Sequence, residues 1–309
     1  MNNLASPIPK GKQRGLTLAQ RDSLWGYLFV APQVIGFCMF VLGPLVAILV
    51  FSTQSRNLLS GEISFIGIEN FRYMFQQDPV FYKMLGNSLT FTAGLVPMNV
   101  VLALMLAIVL APQFRGVSFF RAVFFAPVIT STVAWVIVWT FILQGKSGLL
   151  NQLLGVVGIE GPNWLFEEGP AMFAVIFVRV FKNVGLNMVI FLAAIQDLPR
   201  DHIEAAHVDG ANRWQTIRYI ILPFLAPSIL LVTIVTIIGS LNVFDHILLM
   251  TSGGPSNATM VLAYYVYFNA FKANEIGYGS AISVLLFVIA LTLTMIQWSV
   301  RRRFIYNEV

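Results

Sequence analysis

The sequence predicts an all-α integral membrane protein with about six transmembrane helices. Three observations carry that prediction. Hydrophobic residues make up 57% of the 309 residues and charged residues only 11%, against roughly 25% charged in soluble domains. The mean hydropathy is +0.78. Uncharged stretches recur along the chain at the length of about 20 residues that a helix needs to cross a bilayer.

Those stretches cover residues 24–51, 84–111, 122–144, 183–196, 219–244 and 276–300. Five are long enough to span unaided. The fourth becomes a full span when extended back to Ala171, and then contains Arg179 and Lys182. Pro32, Pro44, Pro97 and Pro127 fall inside spans, which predicts kinked helices in a bundle that re-satisfies the freed carbonyls. Residues 1–22 are polar and read as a disordered cytoplasmic tail, with a second short tail at 304–309 and the membrane domain over 23–303. The first apolar run is too long for a cleaved signal and reads as an uncleaved first span. Segments 52–83 and 145–170 read as outside loops whose mixed aromatics, Gly and Pro pack at the interface. The single cysteine, Cys38, excludes an intramolecular disulfide.

Orientation follows from Lys and Arg. With a cytoplasmic N-terminus, twelve of the 19 fall inside, five outside, and Arg179 and Lys182 within the fourth span. The asymmetry predicts both termini in the cytoplasm. It also makes the net charge of +5 a topology signal rather than a mark of nucleic-acid binding.

No catalytic centre is visible. Gly145-Lys146-Ser147 imitates the end of a phosphate-binding loop, but the required earlier glycine is Thr140, inside a span. Asn257-Ala258-Thr259 is a sequon of a kind common by chance. The three histidines, His202, His207 and His246, are not spaced as a metal site.

One polar segment stands apart, between the fourth and fifth spans. Residues 198–211 read LPRDHIEAAHVDGA and lead into Ile220-Ile221-Leu222-Pro223. Pro199 suits a first helical turn, where the missing N–H costs nothing. Asp201 complements the helix dipole. Ala205 and Ala206 leave a small surface that admits a partner, and Asp209-Gly210 is a turn signal. A second helix over 211–221 then returns to the membrane. Such a helix–turn–helix, too short for a core of its own, needs a docking partner.

The segment resembles the EAA loop of binding-protein-dependent ABC importer permeases, with Glu204, Ala205, Ala206, Gly210, Ile220, Leu222 and Pro223 in register and Asp209 and Ala211 among common choices. The likeness extends over residues 25–303. Residues 65–71 (FIGIENF), Asn87-Ser88-Leu89, Thr251-Ser252-Gly253-Gly254-Pro255 and Gly277-Tyr278-Gly279-Ser280-Ala281 resemble the carbohydrate-uptake branch, in its six-span, maltose-transporter-like form. The resemblance implies a type I ABC importer permease in a bacterial inner membrane. It implies a second permease subunit, two copies of a cytoplasmic ATPase that holds ATP and Mg, and an extracytoplasmic solute-binding protein. It implies no cofactor in this chain. The residues Glu204, Ala205, Ala206, Asp209, Gly210 and Ala211 then form the element that couples to the ATPase.

Intramembrane polar groups are costly in lipid and mark a pathway by default. Arg179, Asn183 and Asn187 repeat every four residues on one helical face, with Lys182 beside them. Ser240, Asn242 and Asp245 form a second patch with Gly239 in the fifth span. The expected pathway residues are Lys182, Asn183, Asn187, Ser240, Asn242 and Asp245. The same groups can instead tie helices together, since Asn and Ser hydrogen-bond between spans and Lys182 can pair with Asp245. The two cations leave an anionic solute open. Glycerol phosphate, a polyol or another non-sugar solute is the alternative within the superfamily, and a secondary transporter the alternative outside it.

Overall fold

The computed structural model describes residues 18–56 and 61–305, with side chains to residue 299. The expected tails at 1–17 and 306–309 lie outside the described residues. The chain divides into two units, 1–50 and 51–309. In the first, α1 (Leu18–Phe37) runs through a π-type turn at Cys38–Leu42 into α2 (Gly43–Phe51). Helix α1 therefore begins within the segment expected to be a tail, and residues 18–22 are helical.

The second unit opens on an antiparallel hairpin, β1 (Gln54–Arg56) with β2 (Ile63–Phe65), paired Gln54 to Phe65. Helix α3 (Glu69–Gln76) follows, then α4 (Phe81–Leu110), α5 (Val117–Ile129), α6 (Thr132–Ile142), α7 (Leu149–Val156) and α8 (Glu168–Gln196). Next come α9 (Arg200–Val208), α10 (Arg213–Thr216), a π-type turn at Ile217–Ile221, α11 (Leu222–Phe224) and α12 (Ala226–Leu241). The chain ends through α13 (Asp245–Met250), α14 (Leu262–Tyr267), a π-type turn at Phe268–Lys272 and α15 (Ile276–Ile305).

Among the described residues, four helical stretches are long and apolar enough to cross a membrane: Leu18–Phe51, Phe81–Leu110, Glu168–Gln196 and Ile276–Ser299. Counting each of two bent helix pairs as one span gives six. The fourth expected span is complete as α8, with Arg179 and Lys182 inside it.

The third and fifth spans depart from expectation. The stretch 122–144 is not one kinked helix: α5 and α6 meet at 102°. Thr130 and Ser131 are extended there, and Pro127 weakens the preceding turn by withholding an N–H. The stretch 219–244 is likewise broken, by 65° between α11 and α12, where Pro223 and Pro227 flank the join. It also stops at Leu241, so Asp245 belongs to the first turn of α13 rather than to the fifth span.

The central pair is α4 and α8, with α5 and α12 against them. Ala103 and Ala107, one turn apart on α4, are fully buried beside Val184, Met188 and Phe191 of α8. Small residues there let the backbones approach, the usual basis of helix association in lipid. Gly185 serves the same end against α5: a Cβ at that position would lie 2.0 Å from the Phe124 carbonyl oxygen.

Candidate functional site

The helix–turn–helix predicted between the fourth and fifth spans is present. Pro199 precedes α9, and Gly210 turns the chain with φ +80, a left-handed conformation that favours glycine. The second helix begins at Arg213 rather than 211, because Asn212 caps it. Its side chain accepts from the Gln215 N–H at 2.9 Å while Gln215 Oε1 accepts from the Asn212 N–H at 2.7 Å. This reciprocal capping box is legible in the sequence as Asn-x-x-Gln.

Of α9 only Ala206 is buried. Glu204, Ala205, Asp209 and Gly210 are exposed, and Ala211 is half-buried. A groove of about 510 Å³ runs beside the helix, lined by His202, Ala205, Ala206, Asp209, Tyr219 and Pro223 among others. Three large apolar residues outside the expected coupling set are also exposed here: Val208 at 87%, Trp214 and Tyr219. For Val208 and Trp214 the signal is an apolar side chain in an otherwise polar loop, whereas Tyr219 opens the fifth apolar stretch.

The expected pathway residues fall into three sets. Lys182 is buried, and its ammonium donates to the Pro127 and Thr130 carbonyls at 3.0 and 2.7 Å. The break between α5 and α6 leaves the Thr130 carbonyl without a backbone donor and Pro127 with only the Thr130 N–H at 3.3 Å, so a cation from α8 caps the C-terminus of α5. Asn187 and Ser240 are also buried and tie helices together. The Asn187 amide donates to Asn99 Oδ1 of α4 and, at 3.2 Å, to Thr236 Oγ1 of α12. Ser240 donates to Thr92 Oγ1 at 2.9 Å.

The remaining residues are more open. Asn183 is half-buried, and its side chain makes no hydrogen bond among the described residues. Asn242 is exposed and lines an apolar groove of about 580 Å³ between α12, α14 and α15, with Ser283 and Thr294 as its other polar groups. Asp245 lies 3.7 Å from Arg179 and accepts from His246 Nδ1 at 2.9 Å. The structure thus joins Arg179 to Asp245 rather than Lys182 to Asp245. His246 completes the cluster, and nothing in its spacing pointed to that.

Sequence motifs far apart in the chain meet at the opposite end of α4 from Leu110. Asn87 donates to the Asn257 and Met260 carbonyls at 2.8 and 2.9 Å, and Ser88 Oγ accepts from the Leu262 N–H at 2.8 Å. Asn70 of the 65–71 motif donates to the Ser52 and Gln54 carbonyls at 2.9 and 3.0 Å.

Residues 99–305 match the family of binding-protein-dependent transport system inner membrane components. The chain belongs to that family. This permease is 32% identical to the arabinooligosaccharides transport system permease protein AraP of Bacillus subtilis (strain 168), over 94% of this chain and 96% of that protein. It is 31% identical to the multiple sugar-binding transport system permease protein MsmF of Streptococcus mutans, over 92% and 97%. Among solved structures it is similar to a chain of a bacterial ABC transporter that imports the acidic polysaccharide alginate. There the TM-score is 0.78 at 25% identity, covering 92% of this chain and 96% of that one. The permease is therefore a multi-pass inner membrane protein with the type I ABC importer fold expected from its sequence.

Proposed function

We propose that this permease forms half of the translocation pathway of an ATP-driven sugar importer and couples to a separate ATPase through α9 and the turn at Gly210. The observation that carries the coupling role is the exposure of this element. A helix with one buried residue, flanked by exposed Val208, Trp214 and Tyr219, has its apolar surface uncovered, and such surface marks a protein interface. Glu204, Ala205, Ala206, Asp209, Gly210 and Ala211 form its contact, on the cytoplasmic side that the Lys and Arg distribution favours. ATP and Mg belong to the ATPase chain.

A second permease subunit supplies the other half of the pathway, and an extracytoplasmic binding protein delivers the solute. The sugar assignment draws on relatives named for arabinooligosaccharide and multiple-sugar transport. Within this chain Asn183, Asn242 and Asp245 are the polar groups open enough to meet a solute. Lys182, Asn187 and Ser240 serve the pathway by fixing its wall.

The test is Glu204→Lys in the assembled importer. Co-purification of the ATPase falls while membrane insertion and association with the second permease persist. An ATPase that stays bound with transport intact refutes the coupling role.

A further inference from the structure

We infer that a pocket between β1, α3 and α15 holds a phospholipid headgroup that carries a free ammonium, that of a phosphatidylethanolamine. The inference needs only the membrane location of the chain and is independent of the solute it carries.

The pocket encloses about 350 Å³ and is lined by Ser55, Arg56, Asn70, Tyr73 and Glu275 among others, near the lower bound of roughly 300 Å³ for small-molecule sites. Its place in the chain puts it at the membrane surface. The first apolar stretch ends at Phe51 and the last begins at Ile276. Ser55 and Arg56 therefore leave the bilayer where Glu275 precedes re-entry. Phe65, Ile68 and Tyr73, on the segments that build this end of the fold, are exposed. Aromatic side chains of this kind belong at headgroup level.

The walls are preformed. The Asn70 amide donates to the Ser52 and Gln54 carbonyls, and Tyr73 packs edge-on against Tyr278 with ring centroids 5.2 Å apart. A Cβ on Gly277 would lie 2.0 Å from the Gln54 carbonyl oxygen, so the backbones of α15 and β1 touch.

The lining carries both signs of charge. The Arg56 guanidinium lies over the Phe51 ring at 4.2 Å. Stacking occupies its face and leaves the N–H edge for a phosphate, which it can pair bidentately. Glu275 is exposed, and an ionised carboxylate only accepts hydrogen bonds. Asn70 has its amide nitrogen engaged by two carbonyls and only Oδ1 to offer. A fork of donors beside two acceptors fits a zwitterion with an anionic phosphate and a donor-bearing ammonium. A choline headgroup has no N–H to give, and a glycerol headgroup has no positive charge.

The experiment takes the full chain in its native complex and strips the surrounding lipid with detergent. Phosphatidylethanolamine, phosphatidylcholine and phosphatidylglycerol of equal acyl chains are then titrated back, and bound lipid is read by native mass spectrometry. Phosphatidylethanolamine binds about fivefold more tightly than the other two. Glu275→Gln removes that preference, whereas Arg56→Gln weakens all three. Lys272→Gln, which removes an exposed cation outside the lining, changes neither. Glu275 lies at the surface and decides the matter alone if Arg56→Gln fails to assemble. Equal binding of the three lipids by the wild-type chain, or a preference that survives Glu275→Gln, overturns the inference. Water-soluble glycerophosphoethanolamine that binds as tightly as the lipid overturns the lipid assignment and makes the pocket a site for a soluble zwitterion.

Discussion

The Lys182 ammonium of α8 donates to the Thr130 carbonyl at 2.7 Å, across the break that divides the third span. With the bond to Pro127 at 3.0 Å, it satisfies acceptors at the end of α5 that lipid cannot satisfy. A residue that looks like a pathway cation is therefore what permits a sharply bent span.

Lys182→Met keeps the length of the side chain and removes both bonds. The Thr130 carbonyl is then left unpaired, while Pro127 keeps only the Thr130 N–H at 3.3 Å, at a cost on the order of 2 kcal/mol. The expected result is a lower thermal midpoint of the detergent-solubilised complex, with Lys182→Arg closer to wild type. A variant of full stability that has lost only transport argues instead for direct contact with the solute.

Asp78 gives a second stability prediction. Its buried carboxylate accepts from the Val80 and Phe81 N–H groups at 2.9 and 3.2 Å, capping α4, and from the hydroxyls of Tyr265 and Tyr278. One side chain thus joins the start of α4 to α14 and α15. Asp78→Ala is expected to cost on the order of 3 kcal/mol, because it strands several buried donors together. Tyr278→Phe removes one donor and is expected to cost about 1 kcal/mol. Hydrogen exchange over residues 78–84 reads both effects, and equal protection in the two variants contradicts the shared role of the carboxylate.

The membrane domain was legible because lipid makes hydropathy decisive. The span α8 survived two cations in its middle since both are paired within the protein. The loop around Glu204 was legible because its residues are local and its turn needs Gly210. What the sequence hid is non-local. Nothing near Thr130 announces that a lysine 52 residues later will cap it. Likewise Asn187 reads as a pathway amide until Asn99 and Thr236 are seen to hold it. His246 joins Asp245 and Arg179 only once the fifth span ends at Leu241. Polar residues on a helical face look alike whether they face a solute or a neighbouring helix.

Gly185 tests the close approach of α5 and α8. A Cβ there would meet the Phe124 carbonyl oxygen at 2.0 Å and the Phe125 Cα at 3.0 Å, backbone atoms that no rotamer change can move. Gly185→Ala is expected to destabilise by about 2 kcal/mol or more. Gly155→Ala in α7, where nothing lies within 4 Å, is the control and is expected to be neutral or mildly stabilising. Equal thermal midpoints for the two variants contradict the packing argument.

Gly210 separates backbone conformation from contact in the proposed coupling element. Its φ is +80, yet nothing lies within 4 Å of the position a Cβ would take. The cost of Gly210→Val is therefore conformational, roughly 1–2 kcal/mol, and falls on the turn that sets α9 against α10. Asn tolerates the left-handed region better than a β-branched residue, so Gly210→Asn is expected to retain more function. The measurement is binding-protein-stimulated ATPase activity of the assembled importer, compared with its thermal midpoint. Valine is expected to lower the stimulated activity several-fold with little change in the midpoint, since the loop is exposed, and asparagine to restore much of it. Stimulation that is the same in all three chains removes the turn from the coupling path.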